Sequence, residues 1–258
     1  EGWNGQALFN SWRTQASSDR ELADLFKSIG DRTLTELNIH MIYGSSGNDS
    51  LIGGAGNDTI LGGDGDDIIN AGSGDDYVEA GAGNDYIVDV AGEGGGGNDT
   101  YLFRQGHGQD ILMDQYGSDT VIFTDLKLED ARFMREGDHL IIKGHGEDQL
   151  TINHHFFHAN YQIENFQFGE QKLTLHDFWR DGLPLFGDGE NRTINGWDGA
   201  NIIYGGSGNE TITTSYSNDK IYGGDGDDII NAGAGNDKIY GGNGDDIINA
   251  GSGDDYVE

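Results

Sequence analysis

The sequence predicts an all-β chain in which two parallel β-rolls are separated by a small β-rich domain and preceded by a short helical segment. A nine-residue phrase, Gly-Gly-x-Gly-(Asn/Asp)-Asp-x-apolar-x, returns in two separate stretches of the chain. Between these stretches the phrase is lost, and apolar and polar residues alternate as they do in half-buried strands. The 45 glycines and the single proline among 258 residues favour many tight turns.

Residues 1–41 differ from the rest of the chain. Ser18 to Glu21 form a capping-box pattern, and Leu22, Leu25 and Phe26 follow it at helical spacing. We expect this segment to be a helical cap over the open end of the first roll, where strand edges would otherwise be exposed.

Residues 42–122 are predicted to form the first roll. A six-residue loop and a three-residue strand fill each nine-residue copy, so two copies make one turn of a flattened coil. The eighth position of each copy should face inward, and it is occupied by Leu51, Ile60, Ile69, Val78 and Ile87. The register slips at residues 89–93, where five residues are inserted.

Residues 123–184 are predicted to form the β-rich domain. Its expected strands are 140–142, 150–152, 163–168 and 173–175, with turns between them.

Residues 187–258 resume the nine-residue period as the second roll. Its first copies carry Arg192, Asn201 and Glu210 where the later ones carry aspartate.

The chemistry of the phrase points to a hard cation. Glycines permit crowded backbone geometry, and their carbonyls together with one carboxylate per loop form an all-oxygen environment, which suits Ca²⁺. The formal charge of −32 opposes compaction unless cations neutralise it. This charge also argues against binding to nucleic acid and against direct binding to anionic membranes. The absence of cysteine excludes disulfides and thiolate metal sites.

Three copies follow one another without a gap: GGAGNDTIL at 53–61, GGDGDDIIN at 62–70 and AGSGDDYVE at 71–79. They closely resemble the repeats of the RTX (repeats-in-toxin) family of type I-secreted bacterial proteins. The middle segment resembles a β-rich domain that often lies beside such arrays. In the family each Ca²⁺ lies between two loops on one edge, one turn apart. The resemblance therefore implies that Asp49 pairs with Asp67, Asp58 with Asp76 and Asp67 with Asp85. In the second array it likewise implies the pairs Asp219–Asp237, Asp228–Asp246 and Asp237–Asp255.

Asp99 completes the predicted carboxylate ligands, but its copy lies beyond the insertion. We expect the slipped copies around Asp99 and Asp110, and the weak copies before Asp219, to hold calcium poorly or not at all. The fifth-position Asn or Asp is expected to brace the turn. Backbone carbonyls should complete the shells, and the resemblance assigns them to Gly53, Ala55, Gly62, Asp64, Gly72, Gly74, Gly223, Asp225, Gly233, Gly235, Gly241 and Asn243.

The resemblance implies a secreted, non-enzymatic module that binds several Ca²⁺ ions, folds outside the cell and supports type I secretion and stability of a toxin or adhesin. Its expected partners are calcium and the type I secretion machinery. We expect the chain to be a piece of a longer protein. Two alternatives remain open at this point. One is an adhesin module that binds a host-surface receptor or glycan, and the other is the C-terminal secretion tail of an RTX protease or lipase.

Overall fold

A computed structural model describes residues 40–90, 96–187 and 192–258. Of the predicted helical segment, residues 1–39 lie outside the described residues, and His40 and Met41 begin the first strand. The strands of the first array are β1 (His40–Tyr43), β2 (Ser50–Ala55), β3 (Asp58–Asp64), β4 (Ile68–Ser73), β5 (Tyr77–Ala82), β6 (Tyr86–Val90), β7 (Thr100–Phe103), β8 (Gln109–Gln115) and β9 (Thr120–Phe123).

The first array is a coil of two parallel sheets, as the repeat predicts. Strands β1, β3, β5, β7 and β9 form one sheet, and β2, β4, β6 and β8 form the other. Leu51 pairs with Ile69, and Ile60 pairs with Val78, so successive turns are in register at the predicted period. These eighth-position side chains are buried between the sheets. Apolar burial of one residue per strand, repeated along the axis, forms the narrow core.

The inserted residues do not interrupt the stack. Val78 pairs with Tyr101, Ile87 with Leu112, and Tyr101 with Val121. Asp89 and Val90 of the insertion belong to β6, and the strands before and after the insertion keep their parallel register. The core becomes aromatic at this point, because the ring centroid of Phe123 lies 5.6 Å from that of Phe103 and 5.3 Å from that of Phe168.

The middle segment extends the same sheets. Its strands are β10 (Arg132–Glu136), β11 (His139–Lys143), β12 (Gln149–Ile152), β13 (Asn165–Phe168), β14 (Gln171–Thr174) and β15 (Leu183–Phe186), with a 3₁₀ turn at Ala159–Tyr161. Strand β12 pairs in parallel with β8, and β13 pairs in parallel with β9. Strands β12, β11 and β10 then pair antiparallel, and β10 meets β15 at the register pair Phe133–Leu185.

Several details of the middle segment differ from the sequence prediction: β13 begins at Asn165 rather than at residue 163, and β15 was not predicted. Leu175 was expected to end a strand, but it begins helix α1 (Leu175–Asp181). The reason is a capping box in which the Thr174 hydroxyl accepts from the Asp177 amide and the Asp177 carboxylate accepts from the Thr174 amide. Strand β10 was not predicted at all. Its buried Phe133 and Met134 lie next to each other, so β10 lacks the alternation of buried and half-buried residues that β12 and β13 have.

The second array stacks on β15. Its strands are β16 (Thr193–Asn195), β17 (Asn201–Gly206), β18 (Thr211–Thr213), β19 (Lys220–Asp225), β20 (Ile229–Asn231), β21 (Lys238–Asn243), β22 (Ile247–Asn249) and β23 (Tyr256–Val257). Strand β15 pairs with β17, so one sheet of 12 described strands runs from the first array through the middle segment into the second. The division into the predicted domains stays a prediction.

The inward eighth positions Ile194, Ile203, Ile212, Ile221, Ile230 and Ile239 are buried. Within the described part of the chain, no helix is long and apolar enough to cross a bilayer.

Candidate metal centre

The sixth-position carboxylates line both edges of each coil. In the first array they form two rows, one of Asp58, Asp76, Asp99 and Asp119 and the other of Asp49, Asp67, Asp85 and Asp110. Each row is joined by one kind of hydrogen bond, in which the backbone amide of one aspartate donates to Oδ1 of the aspartate one turn further along. These bonds measure 2.6–2.9 Å.

The second array repeats this geometry. Asp219 donates its amide to Oδ1 of Asp237, Asp228 to that of Asp246, and Asp237 to that of Asp255, at 2.8–3.0 Å. All six aspartate pairs implied by the resemblance are therefore adjacent and joined by this hydrogen bond. Their role as metal ligands stays a prediction.

The fifth-position side chains form a second ladder that runs in the opposite direction. The amide of Asp66 donates to Oδ1 of Asn48, and that of Asn84 donates to Oδ1 of Asp66. In the second array the amide of Asp245 donates to Oδ1 of Asp227 in the same way. These side chains brace the turns, as the sequence analysis expected.

The second oxygen of the sixth-position aspartates has no partner within the protein. Oδ2 is buried and has no hydrogen-bond partner in Asp58, Asp67, Asp76, Asp85, Asp99, Asp219, Asp228 and Asp237. A buried carboxylate oxygen without a partner is costly, so a repeated set of them favours either a bound cation or protonation. The donor set is oxygen only and includes carboxylates, which fits Ca²⁺.

Backbone oxygens lie beside these free carboxylate oxygens. At Gly62, an added Cβ would lie 2.6 Å from Oδ2 of Asp67 and 2.0 Å from the carbonyl oxygen of Ala80. At Gly223, it would lie 2.3 Å from both Oδ2 of Asp228 and the carbonyl oxygen of Gly241. The glycines are therefore required where the loops approach each other.

Two other predicted carbonyls already have a partner. The carbonyl of Gly233 accepts from the Ser252 amide, and that of Asn243 accepts from the Gly226 amide, which leaves each oxygen one lone pair. The predicted role of these loop carbonyls as metal ligands remains a prediction.

The electrostatics of the rows favour a bound cation. Burial, together with the neighbouring carboxylates, raises the pKa of Asp76 to about 7. Burial likewise raises the pKa of Asp85 to about 7. Burial also raises the pKa values of Asp219, Asp228 and Asp237 in the second array. Without a cation, these groups are therefore harder to ionise than a solvent-exposed aspartate.

At the ends of the rows, the aspartates interact with residues outside the sixth positions. Both the amide and the hydroxyl of Ser45 donate to Oδ2 of Asp49, so this predicted ligand is already hydrogen-bonded. At the other end of that row, Nδ1 of the buried His107 lies 2.7 Å from Oδ2 of Asp110. The first row continues past Asp119, whose amide donates to the carboxylate of Glu164 at 2.9 Å.

The slipped copies keep the hydrogen-bond geometry of the rows. The Asp76 amide reaches Oδ1 of Asp99 across 23 residues, and the Asp85 amide reaches Oδ1 of Asp110 across 25 residues. Asp99 therefore faces Asp76 rather than Asp85. That these copies hold calcium poorly or not at all stays a prediction. The weak copies before Asp219 also keep the hydrogen-bond geometry of the rows. The amide of Asn201 donates to Oδ1 of Asp219, and the amide of Glu210 donates to Oδ1 of Asp228.

Sequence reasoning did not select several buried acids as ligands. Asp110 and Asp119 occupy sixth positions of degenerate copies, and the spacing to the following apolar residue was the signal that identifies them. Asp89 and Asp114 lie inside strands β6 and β8, where no loop pattern marks them. Glu164 follows Ile163 in the middle segment and joins the row only through tertiary structure.

The fold and the site together define a parallel β-roll of nine-residue repeats with an acidic, oxygen-only cation position in its loops. A family model described as the RTX calcium-binding nonapeptide repeat, four copies long, matches residues 43–78, 61–88, 185–212, 204–239 and 222–257. Both arrays therefore match this RTX repeat, which is a calcium-binding motif, and the middle segment between them lies outside the match. Such repeat domains are typically structural rather than catalytic, and the family is one of secreted bacterial proteins.

One similar protein is the iron-regulated protein FrpA of Neisseria meningitidis serogroup C, which is 30% identical over 77 residues. The match covers 29% of this chain and 7% of FrpA. A solved structure, that of the extracellular lipase LipA from Serratia marcescens, is 20% identical with a TM-score of 0.21. That match covers 78% of this chain and 29% of the lipase. The chain therefore spans only a small part of either protein.

Proposed function

We propose that the chain is a non-enzymatic, calcium-folded module of a secreted bacterial RTX protein. The observation that carries this proposal is the row of buried Oδ2 atoms without partners, repeated once per turn on the edges of both arrays. Apolar side chains fill only a narrow strip between the sheets, so the core alone is a weak source of stability. The loop oxygens supply the remaining stability only when a cation neutralises them.

This arrangement couples folding to the calcium concentration. A bound Ca²⁺ would neutralise the facing carboxylates and bridge two adjacent turns. Extracellular calcium modules bind with Kd values of about 10⁻⁴–10⁻³ M, so such loops would be empty in the cytosol and filled outside the cell. A tenfold excess over Kd stabilises the folded state by about 1.4 kcal/mol per site. Several sites in one stack would then suffice to fold an array.

Secretion follows from the same coupling. An unfolded, strongly acidic chain suits a narrow export channel, and folding outside would oppose its return. The module would therefore support type I secretion and the stability of a parent toxin or adhesin. Both the extracellular location of this chain and its contact with the secretion machinery belong to this proposal.

The test is far-UV circular dichroism of the purified chain in chelator, in millimolar calcium and in millimolar magnesium as the matched control ion. We expect a largely unfolded spectrum in chelator, a β-rich spectrum in calcium, and a weaker response to magnesium, which prefers a stricter octahedral site. Equal β-rich spectra in chelator and in calcium would refute the proposal.

A further inference from the structure

The first position of each copy forms a corner of the first coil. The type of residue at this position changes where the nine-residue register slips. The first position of a copy holds a small residue in the regular turns, such as Ala71 and Ala80. In one sheet the following turns place Phe103 and Phe123 there, in register with each other. In the other sheet they place Asp89 and Asp114 there, also in register with each other. One corner thus becomes aromatic and the other acidic.

The two aspartates face the carboxylate row of their own edge. Oxygen atoms of Asp76, Asp89 and Asp99 lie within 4.8 Å of one another. Those of Asp99, Asp114 and Asp119 form a second trio within the same limit. Asp99 belongs to both trios, so the two groups are contiguous along the coil axis.

Several carboxylate oxygens of these aspartates are buried and have no hydrogen-bond partner. Asp89 is fully buried, and neither of its carboxylate oxygens has a hydrogen-bond partner. Oδ2 of Asp76, Oδ2 of Asp99 and Oδ1 of Asp114 are likewise buried without partners. Within the described ranges, the ion pairs of the protein involve other carboxylates. The acidic corner therefore has no cationic side chain of its own.

The surrounding groups fix these carboxylates in place. The hydroxyl of the buried Tyr101 donates to Oδ2 of Asp114 at 2.8 Å, which leaves Oδ1 of Asp114 free. Neutral oxygens converge on the same place. A Cβ added to Gly96 would lie 2.6 Å from the carbonyl oxygen of Tyr116, 2.8 Å from that of Gln115 and 3.1 Å from Oδ2 of Asp89.

We propose that Asp76, Asp89, Asp99, Asp114 and Asp119 form two contiguous cation sites that share Asp99. They differ from the repeat loops because Asp89 and Asp114 provide additional carboxylates from inside the strands. Each site is suited to a hard, oxygen-seeking cation, with calcium as the first choice and trivalent lanthanides as probes. The inference rests on the proposed calcium-binding function and adds a ranking among sites. Because affinity rises with the number of charged ligands, these two sites fill before the ordinary loops.

The test is calorimetric titration of the full chain with chelator-buffered calcium. Wild type should show a tight class of two equivalents ahead of the weaker class. Asp89→Asn and Asp114→Asn keep the side-chain shape but remove a charged ligand. Each should weaken the tight class by at least about tenfold. The control is Asp138→Asn, which removes the same charge from an exposed turn and should leave both classes unchanged.

Terbium provides a second readout, and its measurement on wild type depends on no variant. Tyr101 is bonded to Asp114, so tyrosine-sensitised terbium emission should rise steeply and saturate at two equivalents in wild type. Asp114→Asn should lose this first phase, and Asp138→Asn should keep it.

The outcomes separate the two proposals. If wild type binds no calcium, the proposed function itself fails. If wild type binds calcium in one uniform class, or if both Asn variants keep the tight class, the ranking is refuted and the calcium function stands. A third outcome is that Asp89→Asn stabilises the chelated protein without changing calcium affinity. Neighbouring carboxyl groups of the two trios would then share protons, and the proposed cation sites would be refuted.

Discussion

The core of the second array offers a direct measure of how folding and calcium are coupled. Strand β20 contains two adjacent isoleucines on opposite faces. Ile230 is fully buried, in register with Ile212 and Ile248, whereas Ile229 is 42% exposed. Replacing either with alanine removes the same atoms, so the pair separates core packing from strand propensity.

The expected shift is calculable from the structure. Ile230→Ala should destabilise the folded array by about 3 kcal/mol, as is typical of a buried isoleucine. Three aspartate pairs connect the turns of this array. If each holds one ion, each must compensate about 1 kcal/mol, which requires about fivefold more calcium. Ile229→Ala should stay within about 0.5 kcal/mol of wild type and move the midpoint little.

The assay is hydrogen–deuterium exchange of peptides from residues 201–257 during a calcium titration. The midpoint of protection for Ile230→Ala should lie about fivefold above that of wild type. A shift below about twofold, or equal shifts for the two variants, would mean that core packing and calcium binding are not linked through one folding step.

Two further predictions concern the loops. Burial raises the pKa values of Asp76 and Asp85 to about 7, above their unfolded values, so in chelator the stability of the folded state should be highest near pH 4 and should be lost as the pH rises through 7. Circular dichroism in chelator against pH checks this, and more β structure at pH 8.5 than at pH 5 would contradict it. Gly62→Ala should cost on the order of 2 kcal/mol, because the new Cβ would collide with the Ala80 carbonyl. Gly47→Ala, which meets nothing within 4 Å, should cost much less, and equal urea-unfolding midpoints in calcium would disprove the close approach.

The sequence predicted the regular parts of the molecule because their contacts are fixed by a local period. Leu51 and Ile69 meet because every turn repeats the same residues, and the partner of Asp49 follows from the same count. The pattern failed where partners are set by folding of the whole chain. The insertion before Asp99 changes the count along the chain but not the number of strands, so the loop still reaches Asp76.

The acidic corner was missed for a different reason. A polar residue inside a strand, such as Asp89, normally indicates the outward face of that strand. Only the stacked coil shows that Asp89 and Asp114 point inward to the carboxylate row. The sheet that continues from β8 through β12 to β15 was also beyond local patterns, because each strand alone has no information about its neighbour.

The junction between β10 and β15 has a mechanical consequence. The strands lie across the coil axis, so tension along that axis would pull neighbouring strands apart rather than slide them. Neighbouring strands in the arrays share several register pairs, whereas β10 and β15 share the pair Phe133–Leu185. A stretched molecule would therefore separate first at this seam, and each calcium-bound array would remain intact as a rigid segment on either side of it.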